Sequence, residues 1–212
     1  MADRGEARTD ASALAPECGC PAGACRDVTV LFSDLEGFTA LTEQIPPQEV
    51  VGFLNRYFTA MAESLALHGG RVDAYMGDAM LVVWDGADPV ADAECAAQAA
   101  LAMLARMDQL QHEWLAEGIR PVKVRIGVSS GSAIVGEIGA PRFRQWTVIG
   151  DVVNTANRLE ALNKQFHTDI LLSEATYRLI RTKATVQLLG AIPLKGRREP
   201  MTCYALLGWE DA

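Results

Sequence analysis

The sequence predicts an α+β domain built on a ferredoxin-like βαββαβ core, with extra C-terminal strands and a helix. Three observations lead to it. Short β-branched runs alternate with long amphipathic stretches in the order strand, helix, strand, strand, helix, strand. A Gly77-Asp78 turn joins the middle two strands as a hairpin. The chain has 212 residues, 50% of them hydrophobic and 22% charged, enough for one buried core without disulfides or structural metal. That order is the split βαβ arrangement, with helices expected on one sheet face.

Residues 1–26 are rich in Ala, Gly, Pro, Asp and Arg without hydrophobic periodicity, and read as a flexible leader before a domain over 27–207 and a tail at 208–212. Val28-Thr29-Val30-Leu31-Phe32 is a buried-strand pattern that ends in Ser33-Asp34-Leu35-Glu36-Gly37-Phe38-Thr39. Pro46-Pro47 opens a helix whose stripe is Val50, Leu54, Tyr57, Phe58, Met61 and Leu65, stopped by His68-Gly69-Gly70. Strands follow at 71–76 and 79–84. Asp88-Pro89 then caps a long helix carrying Ala97, Ala100, Leu101, Leu104 and Met107 towards Trp114 and Gly118. Two strands, 122–128 and 133–138, are expected around Ser129-Ser130-Gly131. Gly150-Asp151 starts a helix on which Asn154 and Arg158, spaced i, i+4, share a face. A strand at 169–172, a helix at 173–181 and strands near 184–189 and 201–207 complete the order.

Composition narrows the function. With 19 Lys+Arg against 27 Asp+Glu, the formal net charge of −8 argues against nucleic acid as partner, so an anionic ligand has to be met by local charge. No run of about 18 apolar residues exists to span a membrane, and the N-terminus lacks the basic-then-apolar order of a secretory signal, so the expected location is the cytoplasm. The odd count of 5 cysteines fits a reducing compartment. Cys18, Cys20 and Cys25 cluster, but three thiols without a nearby His match zinc poorly, and the segment reads as tail.

Two acidic residues beside glycines, Asp34 near Gly37 and Asp78 after Gly77, have the makings of a two-metal phosphoryl site. Carboxylates hold Mg²⁺ or Mn²⁺, and glycines let backbone N–H groups approach phosphate oxygens. Either alone is ordinary turn chemistry. Together with Met76-Gly77-Asp78-Ala79 and Thr147-Val148-Ile149-Gly150-Asp151-Val152-Val153-Asn154-Thr155-Ala156-Asn157-Arg158-Leu159-Glu160, the segment Phe32–Thr39 closely resembles the catalytic domain of class III nucleotidyl cyclases over residues 27–207.

The resemblance implies two divalent ions bound by Asp34 and Asp78, with the carbonyl of Leu35 as a further ligand and the amides of Gly37 and Phe38 facing the phosphates. It implies that Asn154 orients the ribose, that Arg158 neutralises charge at the α-phosphate, and that Lys195 holds the terminal phosphates. It also implies a head-to-tail homodimer, because the carboxylates come from one subunit and the other groups from its partner. The segment Glu137–Trp146 matches a dimerisation arm.

Base recognition departs from the family pattern. Adenylate cyclases of this class read the purine with a lysine four residues before the second aspartate and an Asp or Thr seven before the asparagine; here these are Ala74 and Thr147. Threonine fits adenine, since its hydroxyl can accept from the exocyclic amine, whereas alanine removes the donor to N1, costing about 1–3 kcal/mol. The expectation is an adenylate cyclase acting on ATP with weakened base selectivity. A cyclase making cyclic GMP or a cyclic pyrimidine, and a pseudo-cyclase that only binds nucleotide, are the alternatives. A cyclic dinucleotide synthase is disfavoured because its Gly-Gly-Asp/Glu-Glu-Phe hairpin is absent.

Overall fold

The strand expected at Val28–Phe32 is the middle of a longer one, β1, spanning Ala24–Glu36. In the computed structural model, which describes residues 23–193 and 199–210, β1 pairs antiparallel with β4 along its whole length, from Ala24↔Val135 to Glu36↔Lys123. That pairing draws Ala24, Cys25 and Arg26 into the sheet ahead of the expected start at Asp27. Cys18, Cys20 and Lys195 lie outside the described residues.

The remaining elements are α1 (Phe38–Thr42), α2 (Pro47–Ala66), β2 (Arg71–Met76), β3 (Ala79–Trp84), α3 (Pro89–Ala116), β4 (Lys123–Ala140), β5 (Phe143–Ile149), α4 (Asp151–Phe166), β6 (Ile170–Ser173), α5 (Glu174–Ile180), β7 (Ala184–Ile192) and β8 (Met201–Trp209). Among the described residues the sheet runs β2-β3-β1-β4-β6-β8-β7, with β5 paired to β4 off this path. Its first four strands have the ferredoxin-like order, and β6 extends it by pairing parallel to β4.

Helices cover both faces of the sheet rather than one. Along β1 the side chains alternate: Leu31 and Leu35 enter the cluster formed with α2 and α3, while Val28, Val30 and Phe32 enter a smaller one with Val152 and Ala156 of α4. Both faces of β1 are therefore apolar, which is why its core reads as a continuous hydrophobic run. On α2 the buried positions are Phe53, Tyr57, Ala60, Met61, Ser64 and Leu65. Val50, Leu54 and Phe58 are only half-buried, because Phe53 stacks on Trp114 of α3 with ring centroids 4.3 Å apart and turns the contact face towards itself. Asp88 caps α3 by accepting from the Val90 N–H at 2.9 Å, and Ala93, Ala96, Ala97, Ala99 and Ala100 are buried along its inner side.

The two strands expected at 122–128 and 133–138 are one continuous strand, β4. Ser129-Ser130-Gly131 looks like a turn, but both serines are buried, and the Ser130 hydroxyl shares hydrogen bonds with Thr29 at 2.8 Å and Thr176 at 3.1 Å. Side-chain partners satisfy the polar groups inside the sheet, so the ladder continues. Just before these serines on β4, Gly127 lies directly beneath α4, where an added Cβ would run into the Ala156 carbonyl oxygen and the Glu160 amide nitrogen. This contact sets the height of α4 above the sheet. No helix among the described residues is long and apolar enough to cross a membrane.

Candidate active site

Asp34 was expected at a strand's end. It lies inside β1 but just past the last residue paired to β3, Ser33↔Met80, so the edge of β1 is open on that side. The β2–β3 hairpin ends in the same place: Gly77, at φ 67°, makes the turn and Asp78 follows it. The Asp34 and Asp78 carboxyl groups lie close enough to interact, beside the backbone of Leu35. Asp34, Leu35 and Asp78 are thus brought together.

Two carboxylates in contact repel. Burial, then the charge of Asp34, pushes the Asp78 carboxyl up to about 6. The described residues contain no cluster of three or more His, Cys, Asp or Glu side chains, so a cation here would take its oxygens from this pair and from backbone. Adjacent hard oxygens with unfavourable mutual charge fit Mg²⁺ or Mn²⁺.

A pH dependence follows. Because Asp78 holds its proton more tightly folded than unfolded, its contribution to stability is fully present below about pH 4 and is lost as the pH rises through about 6. Without divalent ions, the urea midpoint of the wild type should fall over that window relative to Asp78→Asn. The difference, reduced by solvent screening at this half-exposed group, is on the order of 1 kcal/mol. Mn²⁺ at pH 7.5 should restore the wild type and leave Asp78→Asn unmoved; parallel pH profiles would refute the assignment.

Sequence reasoning missed two neighbours. Arg125 of β4, cross-strand from Asp34, places a guanidinium nitrogen 3.6 Å from its carboxylate and another 2.9 Å from the buried Glu160 of α4. Burial outweighs the Arg125 charge and pushes Glu160 up to about 7. The signal was in Lys123-Val124-Arg125-Ile126, where strand alternation puts Arg125 on the Asp34 face, but only the pairing register brings the two together.

On α4, Asn154 is exposed and Arg158 half-buried, on the same face as expected. Arg158 approaches the carboxylate of Asp151 at 3.8 Å; among the described residues no ion pair joins it to Asp34 or Asp78. Gly37, at φ 88°, precedes α1, and Phe38 packs on Phe53 with centroids 6.1 Å apart, which anchors the turn whose first amides have no intrahelical partners.

Ala74 and Thr147 come together through a residue between them in space. Ala74 is half-buried against the α4-side cluster, and the Thr147 hydroxyl donates to Asp73 at 2.6 Å. The site residues therefore fall into a carboxylate group, a helix-face group and a base-side group.

A ferredoxin-like sheet carrying two contacting carboxylates at the open edge of its first strand is the framework of a nucleotide-cyclising domain. The family model described as "Adenylate and Guanylate cyclase catalytic domain" matches residues 21–208, and the chain belongs to that family. It is 35% identical over 186 residues to Adenylate cyclase 1 of Rhizobium meliloti, covering 86% of this chain and 28% of that protein. It therefore spans little more than a quarter of this relative. Among solved structures it is similar to the adenylyl cyclase CyaB from P. aeruginosa, with TM-score 0.82, 32% identity and coverage of 88% and 96% of the two chains. It is similar too to the guanylyl cyclase Cya2, with TM-score 0.80, 31% identity and coverage of 90% and 96%.

Proposed function

We propose that this domain converts ATP to 3′,5′-cyclic AMP and pyrophosphate at the interface of a head-to-tail homodimer. The observation that carries the proposal is the contact between Asp34 and Asp78 beside Leu35, with Asn154 and Arg158 presented on a separate helix face. Asp34, Asp78 and the Leu35 carbonyl would hold two Mg²⁺ or Mn²⁺ ions, which when bound acidify the ribose 3′-hydroxyl and draw charge from the phosphates. The 3′-oxygen attacks the α-phosphorus, its proton goes to solvent, and the bond to the β-phosphate oxygen breaks to release pyrophosphate.

The chain's own groups serve that displacement. The Gly37 and Phe38 amides face the phosphates, and at Gly37 no Cβ stands in the way. Asn154 of the second copy orients the ribose, Arg158 stabilises the charge that develops at the α-phosphate, and Lys195 holds the terminal phosphates. Thr147 accepts from the adenine amine. Ala74, lined against apolar neighbours, adds no polar contact to the base and favours relaxed selectivity.

Incubation of the purified chain with ATP, GTP, CTP and UTP in turn, with Mg²⁺ or Mn²⁺, should give cyclic AMP as the major product, with slower formation of another cyclic nucleotide. A different major product would refute the choice of ATP.

A further inference from the structure

Beside Ala74 the backbone of β2 departs from a regular ladder. The register of β2 on β3 slips between Val72↔Val82 and Ala74↔Leu81, so Asp73 is bulged out of the ladder. Its side chain is 0% exposed and bound at both oxygens: Arg71 reaches Oδ1 at 2.9 Å, and the Thr147 hydroxyl reaches Oδ2 at 2.6 Å. Gln145 Nε2 donates to the Asp73 carbonyl at 3.3 Å and ties β5 to the bulge.

We infer that Asp73 is a positioning residue that sets base specificity by fixing the hydrogen-bond polarity of Thr147. A carboxylate only accepts, and a threonine hydroxyl has a single proton. With that proton given to Asp73, Thr147 Oγ1 has only lone pairs left for the base. An exocyclic amine, as in adenine or cytosine, can donate to it; the 6-oxo group of guanine or hypoxanthine meets it lone pair to lone pair. Specificity for an amino base then survives the loss of the lysine at position 74, because it rests on rejection of the wrong edge as much as on attraction of the right one. This inference relies on the reading of Thr147 as facing the base.

Asp73→Asn tests it with little change in shape. Arg71 has only donors, so it holds the asparagine carbonyl oxygen and turns Nδ2 towards Thr147. The hydroxyl must then accept from the amide, and its proton is free to meet an oxo group. ATP and inosine triphosphate, which differ at the purine 6-position, are compared by kcat/KM and by competition binding in wild type, Asp73→Asn, Thr147→Val and the double variant. The ATP preference should fall by about tenfold or more in Asp73→Asn, chiefly through KM, and Asp73→Asn should add nothing in the Thr147→Val background.

An unchanged ratio in Asp73→Asn, by turnover or by binding, would overturn the role of Asp73. So would an equal shift in the Thr147→Val background, since Asp73 would then act by another route. A wild type that makes chiefly cyclic GMP overturns the ATP reading by itself, whatever the variants do. A wild type that makes cyclic AMP with an unaltered ratio in Asp73→Asn removes the Asp73 role alone.

Discussion

An equimolar mixture of Asp34→Ala and Arg158→Ala chains should recover about a quarter of the wild-type cyclase activity, although each variant alone is nearly inactive. On the proposed mechanism, loss of the Asp34 carboxylate or of the Arg158 guanidinium should each lower kcat by about a hundredfold to a thousandfold. The recovery follows from symmetry. In a head-to-tail dimer each site takes its carboxylates from one copy and its helix-face residues from the other, so a mixed dimer has one site with both lesions and one with neither. Random exchange makes about half of the dimers mixed, and half of their sites intact. Cyclic AMP production after the mixture has equilibrated measures this directly. A mixture no more active than its components would show that the carboxylates and Arg158 act within the same copy.

Gly127→Ala should destabilise the domain by about 3 kcal/mol or more and reduce activity together with stability. The added Cβ meets the backbone of α4 rather than the end of a flexible side chain, so relief requires moving the helix. That helix carries Asn154 and Arg158 on one face and buries Glu160 against Arg125 on the other. The control is Gly52→Ala on α2, where nothing lies within 4 Å of the new methyl group. There an exposed helical glycine becomes a better helix former, and stability should rise by about 0.5–1 kcal/mol. Urea unfolding of the two variants should give shifts of opposite sign; a neutral Gly127→Ala would mean that α4 is not seated by that contact.

Much of the architecture was legible because its signals are local. The Gly77-Asp78 hairpin, the Asp88-Pro89 cap and the Gly150-Asp151 helix start each depend on a few adjacent residues, and the structure has them at those places. Where reading and structure part, the cause is tertiary. Ser129-Ser130-Gly131 has turn composition, yet hydroxyl partners on β1 and α5 keep it in the strand. The continuous apolar run of β1 marks a strand buried on both faces, but the helix that covers the second face, α4, lies far along the chain and nothing local assigns it there. Of the candidate site, the aspartates and the Asn154–Arg158 spacing stood out as motif residues. Arg125 and Asp73 did not, because strand alternation gives Arg125 its face but only the register gives it its partner, and Asp73 is placed by a bulge.

The length of β4 has a mechanical consequence. Between Arg125, beside Asp34, and Ile138, on the hairpin with β5, runs one unbroken strand of up to roughly 40 Å. Strands twist readily but scarcely stretch, and this one is clamped to β1 over most of its course. A push on the projecting hairpin therefore travels as a displacement of the whole beam. Whatever grips that hairpin has a lever whose short arm ends beside Asp34.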